Sequence, residues 1–378
     1  MPSASSRRAR ARTQEGDGAA CLCRAGRSSE IRSRLRGCSP SAEAGCGLLR
    51  TDERHRRVRP RRPTGTDPAY DGATCAGGRS ACKNLVVSVS ALEFYSVPGR
   101  FTKLDRDEGL RGIETIVEVV QGLLVYDLVA QPFYGIELAA AQADTIHLRD
   151  SAALLEAARR VDARPLGEPR PPANRVGARC HAYSRLTVAL LRAVGVPARA
   201  RCGFAAYFLP GQLEDHWVAE YWDDAVGRWK KVDAQLDATW RSKMSYVGDP
   251  FDVTETEFVT AGHAWRAWRH GDLDAGRCGL TSIDEHGPHW IAGNLRLDLA
   301  ALNKVEMLPW DVWGAGWKPG DLPTDELLAC FDSVAELTVE PDARFDELRH
   351  RYETDDSLRM DGTVLNVLRG ERETLEPD

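Results

Sequence analysis

No apolar run in this sequence reaches the roughly 18 residues that a membrane helix requires. No apolar h-region of a secretory signal stands near its start. Both absences argue against a membrane partner and for a cytoplasmic protein. Cysteine is scarce where it would matter: beyond the first 83 residues only Cys180, Cys202, Cys278 and Cys330 occur. Four scattered cysteines make no disulfide framework, which fits a reducing compartment. Cys21, Cys23, Cys38, Cys46, Cys75 and Cys82 match no zinc spacing, so neither a metal nor another cofactor is expected. There is also no internal repeat. Charge of one sign is missing from the average, since the net value is only -6. That average conceals a division. Residues 1–83 hold 18 Lys+Arg against 8 Asp+Glu, and the rest of the chain holds 32 against 48. An acidic body argues against nucleic acid as the partner.

The basic stretch 1–83, rich in Arg, Ser, Gly and Pro, has no sustained apolar period. It reads as a disordered leader or a spurious extension, because such a segment buries too little surface to offset chain entropy. Residues 84–174 read as a helical N-terminal lobe. Leu110, Ile113, Ile116, Val117, Val120 and Leu124 give a helix over 105–127, and a second is expected over 136–148. Asp150 or Ser151 caps a third at Ala152–Val161. The proline-rich stretch 162–174 leads into a core at 175–255. Residues 256–378 form a Trp-rich and helical part, with helices near 325–337 and 343–352 and Thr324 as a cap.

Within 175–255 three groups stand at the ends of elements. Cys180 opens a helix that runs to Val194, with Leu186 and Leu190 on one stripe and Gly195 at its C-terminal end. His216 opens a strand, His216–Trp222, and Asp233 ends the next, Trp229–Gln235, across a turn at 223–228. A cysteine at a helix start meets unpaired N–H groups and the positive end of the dipole, which favour a thiolate and can hold an oxyanion. If Trp222 pairs with Trp229, His216 and Asp233 become diagonal neighbours on one face, within side-chain reach. A slip of one residue would turn the aspartate to the other face. Alone, Cys180 reads as a buried thiol. With an imidazole and a carboxylate to orient it, the set reads as an acyl-transfer site.

The cysteine at a helix start, the His-Trp-Val at 216–218 and the Val-Asp at 232–233 resemble the transglutaminase-like superfamily over residues 177–236. The resemblance implies an α+β fold with a papain-like core, in which the cysteine helix packs on an antiparallel sheet flanked by helical segments. It also implies Cys180 as nucleophile, His216 as general base and Asp233 as orienting acid. Departures are Ala178 where many members carry glycine, His181 where the animal enzymes carry an aromatic residue, and no upstream tryptophan as a second oxyanion donor. Asn174 and Arg175 are the upstream alternatives. Trp217, His181 and Trp313 are the expected substrate-lining residues, the last in a loop at 309–317. His286 and His289 are closely spaced, but Pro288 between them argues against a regular helix and against zinc. The expected activity is hydrolysis of a peptide, protein or small amide substrate. Aminoacyl or peptidyl transfer, or a binding domain that keeps the fold without catalysis, are the alternatives.

Overall fold

The computed structural model of the chain describes residues 89–104, 109–360 and 362–375. The basic leader expected at 1–83 and its six cysteines lie outside the described residues. Helix α1 spans Val89–Ser96 and α2 spans Ile113–Leu123. Helix α2 turns Ile116, Val117, Val120 and Leu123 into the core, along the stripe read from the sequence. It is shorter than the expected 105–127, of which 105–108 lie outside the described residues. It stops because Leu124 turns extended and opens β1 (Leu124–Tyr126), which pairs in parallel with β2 (Val176–Ala178). Main-chain groups committed to a neighbouring strand cannot also continue a helix.

The helix expected over 136–148 is a second correction. Only Ala140–Ala143 is α-helical, followed by a 3₁₀ turn at Asp144–His147. Here side chains bind across the chain instead. Gln142 donates to the carbonyls of Ala173 and Arg175, and Thr145 Oγ1 donates to that of Gly177. Helix α3 (Ser151–Val161) then begins on Asp150, whose carboxylate accepts from the Ala153 N–H at 2.7 Å.

Helix α4 (Cys180–Ala193) is buried along nearly its whole length, and Gly195 beyond it takes φ 78°. Three strands follow: β3 (Ala198–Ala205), β4 (Leu213–Asp223) and β5 (Arg228–Val232). β3 and β4 pair antiparallel from Ala198–Tyr221 to Ala205–Glu214, and β4 and β5 pair from Asp223–Arg228 to Ala219–Val232. Trp222 does face Trp229, with Gly227 at φ 66° making the turn. After the short helix α5 (Ala238–Met244), β6 (Phe258–Thr260) joins the outer edge of β3, and α6 (Ala261–His270) leaves it. β7 (Cys278–Leu280) lies parallel to the start of β4, and β8 (Glu285–His286) lies beyond β7. The sheet order is β6-β3-β4-β7-β8, with β5 beside the far half of β4. The fold is thus mixed α/β with mostly antiparallel pairing, and α4 packs on β4 and β3.

Pro288, expected to exclude a regular helix, instead starts one: α7 spans Pro288–Leu302 and packs against β3. Proline is tolerated at a first helical position because that N–H has no partner there anyway. Helices α8 (Asp325–Val339) and α9 (Phe345–Thr354) follow, α8 with Thr324 Oγ1 accepting from the Leu327 N–H. A small sheet joins β9 (Asp311–Val312), β10 (Thr363–Asn366) and β11 (Glu371–Thr374). No helix among the described residues is long and apolar enough to cross a membrane.

Buried charge ties these layers together. Arg199 and Arg201 alternate on β3, which is why that strand lacks a simple apolar alternation. Arg199 binds Glu220 of β4 and Asp342 after α8, while Arg201 binds Glu220 and Asp298 of α7. All five side chains are buried.

Candidate active site

The edge of β4 explains where the site forms. β3 occupies one edge of β4 along residues 214–221. On the other edge β7 takes 213–214 and β5 takes 219–223, leaving 215–218 without a strand partner. Opposite Trp217, Cys202 gives its N–H to Asp298 Oδ1 at 2.9 Å, not to Trp217. The Trp217 main chain therefore points into the gap, following the alternation of antiparallel pairing. The first turns of α4 meet that gap. The Cys180 sulfur lies against the N–H groups of Trp217 and of its own neighbour His181, and Ser184 Oγ donates to the Val218 carbonyl at 2.7 Å.

His216 stands on β4 next to this contact. Asp233 is the first residue past β5, where the Asp233 N–H bonds the Pro250 carbonyl and turns the chain out of the sheet. The diagonal approach read from the register is made: His216 Nε2 and Asp233 Oδ2 are 2.8 Å apart, with both residues 1% exposed. Two further donors fix the carboxylate. The Gln235 N–H reaches Oδ1 at 2.9 Å, and the Tyr207 hydroxyl reaches Oδ2 at 2.5 Å. With Nε2 facing the carboxylate, Nδ1 is the ring nitrogen left to exchange a proton.

The thiol differs from the expected thiolate. Cys180 is 7% exposed, and burial pushes its pKa far above the usual cysteine value. The Asp215 and Asp233 carboxylates push in the same direction, and the His181 and Trp217 N–H groups oppose them without prevailing. Two N–H groups do not replace the water that burial removes. Among the described residues no hydrogen bond joins Cys180 Sγ to the His216 ring. Iodoacetamide alkylation of Cys180, followed on its own peptide, should be slower at pH 7.5 than that of a free cysteine, whose pKa is about 8.5. The rate should still be rising at pH 9. A plateau reached below pH 7 would instead reveal a preformed thiolate.

Asp215, the residue before His216 on β4, is a half-buried carboxyl near the thiol. Burial pushes it up to about 6, against the Trp290 indole N–H at 2.8 Å, His216 and Asn294. A cavity of about 50 Å³ opens beside His216, between Asp215, Gln235, Tyr126, Phe208 and Trp240. It has room for a few waters, not for a large side chain.

The three residues expected to line substrate are not among those around this cavity. His181 is 2% exposed and meets Trp310 edge-on at 5.3 Å, and its ring nitrogens have no partner. Trp217 is packed in the core. Trp313 gives its indole N–H to the Leu358 carbonyl and lies under Arg296 at 4.6 Å. Asn174 and Arg175, the upstream oxyanion alternatives, spend donors on Asp162 and on the Arg170 carbonyl. His286 Nε2 pairs with Thr281 Oγ1. Among the described residues no three His, Cys, Asp or Glu side chains are grouped to hold a metal. Tyr207 and Gln235 were given no part by the sequence. Nothing in the composition of a loop after β3 indicates that a hydroxyl there reaches a carboxylate 26 positions on.

Residues 162–234 match the model of the transglutaminase-like superfamily, a span that contains Cys180, His216 and Asp233. No curated protein and no solved structure matches the chain.

Proposed function

Starting from a transglutaminase-like segment, whose superfamily points to cysteine acyl-transfer or peptidase chemistry, we propose that the chain hydrolyses an amide or thioester through an acyl-enzyme on Cys180. The observation that carries this reading is the His216–Asp233 bond, held on the strand whose next N–H faces the Cys180 sulfur. In this reading Cys180 Sγ attacks the carbonyl carbon while His216 Nδ1 takes the thiol proton. Proton transfer and attack go together, because a thiol with a raised pKa is not ionised beforehand. The His181 and Trp217 N–H groups would receive the oxyanion. Collapse breaks the bond to the leaving group, which takes the proton from the imidazolium. Water, activated by the same ring, then releases the acid and restores the thiol. Transfer to an amine differs only in that last step.

A second reading, a domain that keeps the fold for binding alone, is favoured by one observation. Among the described residues the thiol is buried, and no hydrogen bond joins it to the imidazole ring. Intact mass spectrometry of the full chain, acid-quenched after mixing with simple aryl thioesters and aryl amides, separates the two. An adduct of the acyl mass on the Cys180 peptide, appearing with released leaving group, is expected. Neither adduct nor release across both donor classes would leave the binding reading.

A further inference from the structure

We infer that Tyr207 is a positioning residue, whose hydroxyl competes with His216 for one oxygen of Asp233 and so sets how tightly that carboxylate holds the imidazole. The inference rests on the proposed role of His216 as base only for its kinetic readout. Its geometry stands by itself. Tyr207 Oη and His216 Nε2 both reach Asp233 Oδ2, at 2.5 and 2.8 Å, while Oδ1 takes the Gln235 N–H. A carboxylate oxygen has lone pairs for both donors, but each donor withdraws charge that the other would use.

The tyrosine is held in place for this. The N–H of Ala206 just before it bonds the Glu257 carbonyl. Its ring meets Phe208, Tyr246 and the His216 ring edge-on, with centroids at 4.8, 5.2 and 6.0 Å. Burial, and then Asp233 itself, push the phenol pKa well above its ordinary value, so the group is a donor throughout the working pH range. The other ionisable groups facing the pair are Cys180 from α4, Asp215 from β4 and Tyr246 from the segment after α5. None of these three hydrogen-bonds the Asp233 carboxylate.

Tyr207→Phe in the whole chain keeps the ring packing and removes only the hydroxyl. Charge returns to Oδ2 and the bond to His216 Nε2–H strengthens. The proton NMR resonance of that N–H should move downfield. The acid limb of the kcat/KM profile should move to higher pH, because a better-held imidazolium gives up its proton later. We expect kcat to fall about tenfold with KM little changed, because a more tightly held imidazolium is a weaker acid toward the leaving group. Tyr207→3,5-difluorotyrosine, a stronger donor of nearly the same shape, should move the resonance upfield. It keeps the test decisive if the Phe variant does not fold. A lower rate with both resonance and acid limb unmoved would reduce Tyr207 to packing and overturn the inference. The acyl-enzyme reading fails separately: turnover surviving in Cys180→Ala would sink it while the resonance shift still judged Tyr207.

Discussion

Cys180→Ala should lose turnover by about four to six orders of magnitude and keep its fold. Removing the nucleophile of such a unit costs about as much as removing the whole unit, since the other members have nothing left to activate. Asp233→Asn should lose about 10⁴-fold, as a misoriented tautomer does in the serine triad. The ordering matters more than the sizes. In the proposed mechanism the cysteine would supply the bond-forming atom, whereas the aspartate would act only through Nε2 of His216. Far-ultraviolet circular dichroism and the urea midpoint of the alanine variant should match the parent, because one small buried side chain is exchanged for another. If the alanine variant keeps more than about a thousandth of the activity, Cys180 is not the nucleophile.

Asp298→Ala should be the most damaging single change away from the site, costing about 3–5 kcal/mol in urea unfolding. That is a large share of the roughly 5–15 kcal/mol available to a folded domain. Asp298 accepts from Arg201 Nε and Nη2, at 3.0 and 2.9 Å, and from the Cys202 N–H. Alanine leaves Arg201 Nε and the Cys202 N–H buried without an acceptor and takes away one of the two carboxylates that face the guanidinium, Glu220 remaining. An unchanged midpoint would show that water enters and satisfies them. The same network gives an acid limit. Burial alone would raise Glu220, but Arg201, Arg199 and Lys231 outweigh it and hold its pKa well below the ordinary carboxylate value. A carboxyl lowered by folding contributes fully above its unfolded pKa, about 4.3, and that contribution is lost as pH falls below it.

What the sequence made readable was local. Leu186, Leu190 and Gly195 mark α4, and the glycine turn at 227 with Trp222 opposite Trp229 sets the register that aims Asp233 at His216. Asp150 and Thr324 announced their helices because capping needs one oxygen at one place. Other features depended on distant partners. The 136–148 pattern lost to bonds from Gln142 and Thr145 to the chain near 173–177. β3 looked irregular because its arginines are buried against carboxylates 19 to 143 positions away. The raised thiol pKa comes from burial and from Asp215, neither of which a helix-start pattern contains.

The buried arginines also bear on how the span matched to the transglutaminase-like superfamily could be moved between proteins. Arg192, Arg199 and Arg201 lie inside residues 162–234, yet they find Glu306, Asp342 and Asp298 outside it. Excised and grafted elsewhere, that span would carry three cations into a foreign interior with only Glu220 to meet them. Its portability is limited by charge neutrality: the segment and its C-terminal acids have to be inherited together.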